Sequence, residues 1–141
     1  MAMLATEPVA TPTLSVVATT LEGTEAALAA AKHVAQERGA HVSLLVPRVD
    51  SPAPTPERFT DTTNWLVSRY EQVARDVGQP VRVRVCACRN VAEAAALLSP
   101  ANGTLFVGGP ERWWWPTAEE RLAAELRRAG RDVVFVGCNR G

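Results

Sequence analysis

No stretch of this sequence approaches the ~18 uninterrupted apolar residues that a membrane-spanning helix needs. Residues 1–12 carry neither a basic stretch nor a long apolar run, so neither a signal peptide nor a membrane anchor is expected there. An excess of one charge is also missing, since fifteen Lys and Arg balance fifteen Asp and Glu. Nucleic acids and anionic membranes are held by a basic excess, so neither is expected as a partner. Cysteines are few and odd in number (Cys86, Cys88 and Cys138), and without a secretory context they imply a reducing, cytoplasmic setting. Ser-His-Asp patterns, paired carboxylates and HExxH signatures are absent, and the expectation is a protein that is not an enzyme.

What remains is an ordinary globular composition. The chain has 141 residues, 47% apolar and 21% charged. That suits one domain, and a chain of this size buries about two thirds of its unfolded surface without a disulfide or metal staple. Residues 1–12, with Pro8 and Pro12 and no periodicity, read as a flexible N-terminal tail, and 13–141 as the domain. LSVVA (14–18) is a β-branched run that suits a strand buried on both faces. TEAALAAAKHVAQER follows with a helical apolar stripe and stops at Gly39, as a left-handed C-cap requires.

VSLLV (42–46) predicts the second strand, and 47–60, with four prolines, predicts a loop of about fourteen residues. Asp61 is the expected cap of a second helix carrying Leu66, Tyr70, Val73 and Val77 and ending at Gly78. VRVRVCA (81–87) alternates strictly, with Arg82 and Arg84 on a wet face, as an edge strand does. Asn90 with Glu93 predicts a capping box before the helix VAEAAALLS, and Thr117 with Glu120 predicts another before the last helix. TLFV (104–107) and VVFV (133–136) complete five strands. The order β-α-β-α-β-α-β-α-β implies one three-layer α/β domain of Rossmann-like type, a parallel sheet with four helices on its two faces.

Several segments together resemble the universal stress protein family over residues 13–138. They are LSVVATT with EGTEAALAAAKHVA, then GAHVSLLVPRVD, similar to that family's A-x-L-x-L-L-H-V second strand, then TLFVGG followed by a helix and RDVVFVG. The segment GGPERWWWPTAEERLAAELRRAGRDVVFV is also similar to the stress-protein module of potassium-sensing histidine kinases, where tryptophan follows the fourth strand. The resemblance implies the adenine-nucleotide alpha-hydrolase type of fold with sheet order 3-2-1-4-5, a homodimer along the last strand, and a nucleotide cleft beside strands one and four. Two features depart from it. ATP-binding members carry an acidic residue after strand one, where this chain has Thr19 and Thr20. They also carry G-x-x-G-x9-G-[ST] after strand four, whereas Gly108 and Gly109 are followed here by Pro110, Glu111, Arg112 and three tryptophans. ATP binding is therefore expected to be weak or absent, and no cofactor is expected.

The leading expectation is a non-enzymatic stress-response or regulatory binding module. The alternative is a ligand-sensing domain holding a nucleotide or other planar molecule at the strand C-terminal ends, through Thr19, Thr20, Val46, Gly108 and Gly109. Arg112 is a candidate anion holder beside the last helix start, its plainer reading being a solvated loop arginine. Trp113, Trp114 and Trp115 either fill the volume of a nucleotide, contact a protein partner, or stack on a planar ligand. Val133, Val134, Phe135 and Val136 form an unblunted apolar edge, which predicts pairing with a second copy. Cys86 and Cys88 share one strand face, but two more ligands for a metal are not at hand, so no metal is expected. A small hydrolase using Thr19, Thr20 or Asp50 is a remote third class.

Overall fold

Strands and helices alternate in the computed structural model, which describes residues 13–49, 56–100, 103–111 and 116–138, with side chains except at 49 and 56–62. The elements are β1 (Thr13–Val17), α1 (Leu21–Arg38), β2 (His41–Val49), α2 (Pro56–Val77), β3 (Arg82–Cys88), α3 (Val91–Leu98), β4 (Thr104–Gly109), α4 (Ala118–Arg128) and β5 (Asp132–Gly137). They form one parallel sheet ordered β3-β2-β1-β4-β5, the order expected. The tail expected over residues 1–12 lies outside the described residues.

Each face of the sheet has its own core. Leu14, Val16, Leu44, Val46 and Phe106 pack under α1 and α2, against Ala27, Leu28, Ala31, Tyr70 and Ala74. Val17, Leu45, Leu105, Val107 and Val133 pack under α3 and α4, against Ala95, Leu122, Ala123 and Leu126. Burial on both faces is why the central strands read as continuous apolar runs rather than alternating ones. The edge strand β3 does alternate, with Arg82 and Arg84 exposed and Val83 and Val85 half-buried.

The helix ends follow local chemistry. Gly39, Gly78 and Gly130 all have positive φ, near +65, +84 and +86°, which side-chain-bearing residues rarely adopt. Asn90 accepts from the Glu93 N–H (3.0 Å) to open α3. Thr117 and Glu120 form a full capping box, Glu120 N–H to Thr117 Oγ1 at 3.1 Å and Thr117 N–H to Glu120 Oε1 at 2.7 Å.

Two expectations need correction. The loop predicted over 47–60 is shorter at both ends, because β2 continues to Val49 and α2 begins at Pro56. Leu45 turns its carbonyl toward β1, accepting from the Ala18 N–H at 2.8 Å. Backbone direction alternates along a strand, so Pro47 faces the same side, beyond the last β1–β2 pair, Val17 with Leu45. Its missing N–H therefore costs no ladder bond, and Pro47 pairs with Cys86 of β3. Asp61 does not cap α2. Pro56 opens the helix instead, its fixed φ and lack of an N–H suiting the first helical turn.

Candidate functional site

In an open parallel sheet, ligands bind outside the strand C-terminal ends, where successive crossovers leave in opposite directions. Here that point lies between β1 and β4, the central pair from which the sheet grows to each side. Thr19 and Thr20 follow β1 directly. Thr20 is the N-cap of α1, its hydroxyl accepting from the Gly23 N–H at 3.0 Å.

Thr19 joins four elements. Its N–H donates to the buried Thr24 Oγ1 (3.0 Å), and its hydroxyl donates to the Gly108 carbonyl at the end of β4 (2.7 Å). Its own carbonyl accepts from the Tyr70 hydroxyl of α2 at 3.2 Å. Burial pushes the Tyr70 pKa above its ordinary value, with the Thr24 hydroxyl and the Arg69 charge pulling the other way.

Beneath this knot α1 rests on β4 backbone to backbone. A Cβ added at Gly108 would overlap the Gly23 carbonyl, and one at Gly23 would overlap the Gly108 carbonyl. Gly109 is covered differently. A Cβ there would lie 2.6 Å from Glu119 Cβ and Cγ, so the Glu119 side chain lies across the strand end. The Gly109 carbonyl accepts from the Cys138 N–H at 2.9 Å, and the Glu111 carboxylate lies over Gly137 of β5.

In front of β1 is a cleft of about 410 Å3 between the starts of α3 and α4. Ala18 and Thr19 form its floor. Arg89, Asn90, Val91 and Ala92 make one wall, and Ala118, Glu119, Leu122 and Glu125 make the other. Of the residues named from the sequence, Thr19 lines this cleft. Thr20 is spent on a cap, Gly108 lies under α1, Gly109 lies under Glu119, and Val46 is buried in the core on the α1/α2 side. Arg112, Trp113, Trp114, Trp115 and Asp50 lie outside the described residues. On β5, Val133 is buried, Phe135 and Val136 are half-buried, and Val134 is exposed.

The α3 and α4 wall residues escaped the sequence reading. Both helix caps, Asn90 and Thr117, were visible, although only Thr117 with Glu120 closes the full box, and each sits at a strand C-terminal end. Their adjacency depends on the α3 crossover from β3, at one edge, over to β4, which no local pattern records. Among the described residues Cys86, Cys88 and Cys138 form no disulfide, and no group of three or more metal-ligating side chains occurs.

No protein-family model and no curated protein matches this chain, but solved structures do. A protein of the universal stress protein family from Burkholderia pseudomallei matches at TM-score 0.60 and 18% identity, over 89% of this chain and 96% of its own. A universal stress protein solved in complex with cAMP matches at TM-score 0.59 and 16% identity, over 89% and 96%. The universal stress protein from Archaeoglobus fulgidus in complex with dAMP matches at 0.53 and 12%, over 92% and 99%.

Proposed function

Taking the universal stress protein fold as the premise, we propose that this chain is a non-enzymatic regulatory binding module that does not hold ATP in the manner of ATP-binding relatives. The observation that carries this reading is the Glu119 side chain lying across Gly109, where a phosphate would have to approach the β4 backbone. Pro110, next in the chain, has no N–H to offer. The first turn of α4 carries Glu119 and Glu120, and its Glu120 N–H is already bonded to Thr117.

A helix dipole contributes about 0.3–1 kcal/mol to anion binding at an exposed site. A like-charge pair about 5 Å apart opposes it by about 3 kcal/mol at an effective dielectric near 20. Repulsion wins, and micromolar affinity, which needs about 8 kcal/mol, is out of reach. Calorimetry with Mg-ATP tests the reading. The expected outcome is no binding tighter than roughly ten micromolar, about 7 kcal/mol, and a tighter dissociation constant overturns it.

A second reading, a nucleotide with a single phosphate, is favoured by the similar proteins solved with cAMP and dAMP. The same titration with each of these separates it from the first. The proposed module works as a homodimer through β5, one of the two edge strands, whose apolar edge is not blunted by proline or lysine. A cytoplasmic setting belongs to the same reading. Among the described residues no helix is long and apolar enough to cross a membrane.

A further inference from the structure

The cleft between α3 and α4 has walls of opposite charge. Arg89 stands on the α3 side, and Glu119 and Glu125 stand on the α4 side with Leu122 between them along the helix. Ala18, Val91, Ala92 and Leu122 supply apolar surface in the same cleft. Its volume of about 410 Å3 falls within the range of small-molecule sites, about 300–1,000 Å3. These charges do not neutralise one another. Among the described residues no ion pair joins Arg89 to Glu119 or Glu125.

A purely apolar ligand gains nothing from the exposed Arg89 and Glu125, and it strips water from the half-buried Glu119 without pairing it. An anion with several charges would satisfy Arg89 but meet both carboxylates, and a cation would do the reverse. A molecule with one group of each sign pairs both walls while its body covers the apolar floor. We propose that this cleft binds a compact zwitterion, its anionic group on Arg89, its protonated amine on Glu119 and Glu125, and its apolar body over Ala18 and Leu122. This rests on the reading of the chain as a binding module and adds to it a ligand class that no polyphosphate belongs to.

Calorimetry on the full chain with L-phenylalanine, 3-phenylpropionate and phenethylamine tests it, because the three share one body and differ only in charge. Phenylalanine is expected to bind at least tenfold more tightly than either single-charge analogue. Arg89→Ala should erase its advantage over phenethylamine. Glu119→Gln with Glu125→Gln should erase its advantage over 3-phenylpropionate while keeping the Glu119 packing on Gly109. An unchanged melting temperature in each variant shows that the fold is intact. Equal binding of the three compounds, or no binding by any of them, overturns the zwitterion site. Binding of AMP that depends on Arg89, with phenylalanine silent, overturns it in favour of a nucleotide. Neither result touches the reading of the chain as a binding module that does not hold ATP in the manner of ATP-binding relatives, which tight ATP binding overturns.

Discussion

Gly108→Ala is the most direct probe of how β1, β4 and α1 are held together. The added methyl would overlap the Gly23 carbonyl oxygen, reach 2.8 Å from the Gly23 carbonyl carbon and 3.3 Å from Ala27 Cβ. The obstacle is backbone rather than a side chain that can swing away. It is held by the Thr20 cap on Gly23 N–H and by the Thr19–Thr24 bond. Overpacking of this kind costs about 1–3 kcal/mol, and loss of the Thr19–Gly108 hydrogen bond adds about 1. Reduced unfolded-state entropy returns about 0.5–1 kcal/mol. The net expectation is a loss of about 2 kcal/mol, or about 7 °C in melting temperature for a domain of this size. Gly23→Ala should be destabilising too, although alanine favours a helix over glycine by about 1 kcal/mol. Gly130→Ala is the control. Nothing lies within 4 Å of its added Cβ, and only the positive φ of 86° opposes it, worth about 1–2 kcal/mol. Urea unfolding followed by circular dichroism measures all three. A Gly108→Ala protein within about 0.5 kcal/mol of the wild type would refute the backbone contact, since overpacking predicts several times that.

Three further outcomes follow from the same contacts. Tyr70→Phe removes the bond to the Thr19 carbonyl and should cost about 1 kcal/mol near neutral pH. Because burial raises the Tyr70 pKa, its stabilisation is fully present below about pH 10 and is lost as pH rises through the higher folded-state value. The gap between wild type and Tyr70→Phe in urea titrations should therefore narrow in alkali, and a constant gap would contradict the assignment. Thr117→Ala breaks the α4 capping box at a cost of about 1 kcal/mol, with Thr117→Ser restoring most of it in the same assay. At the dimer edge, Cys138 N–H faces β4, so by alternation Val134 N–H does too. Val134→Pro should then weaken the β4–β5 ladder itself, whereas Val134→Glu, at an exposed side chain, should split the dimer and keep the fold. Light scattering that finds the wild type monomeric at about 100 μM would remove the dimer.

Local patterns of a few residues determined the elements of this protein. Apolar runs named the buried strands, the alternation of VRVRVCA named an edge, and Gly39, Gly78, Gly130, Asn90 and Thr117 marked helix ends through φ and N–H requirements that each residue meets alone. The alternation of strand and helix added the parallel sheet, because right-handed crossovers leave few other arrangements. Pro47 and Pro56 misled for the same local reason. A proline's meaning depends on which side its missing N–H faces, and only the end of β1 and the start of α2 decide that.

Apart from Thr19, which the sequence named and the cleft contains, the site was decided by tertiary structure. Val46 belongs to the face away from the cleft, although its burial was readable. Gly108, named for the ligand cleft of the alternative reading, is one half of a backbone contact with Gly23, eighty-five positions earlier in the chain. Arg89 and Glu119 share a cleft because α3 crosses from β3 to β4 and brings its first residues opposite α4. Side chains from separate segments meet only after the sheet order places them together. Backbone periodicity carries no record of that meeting.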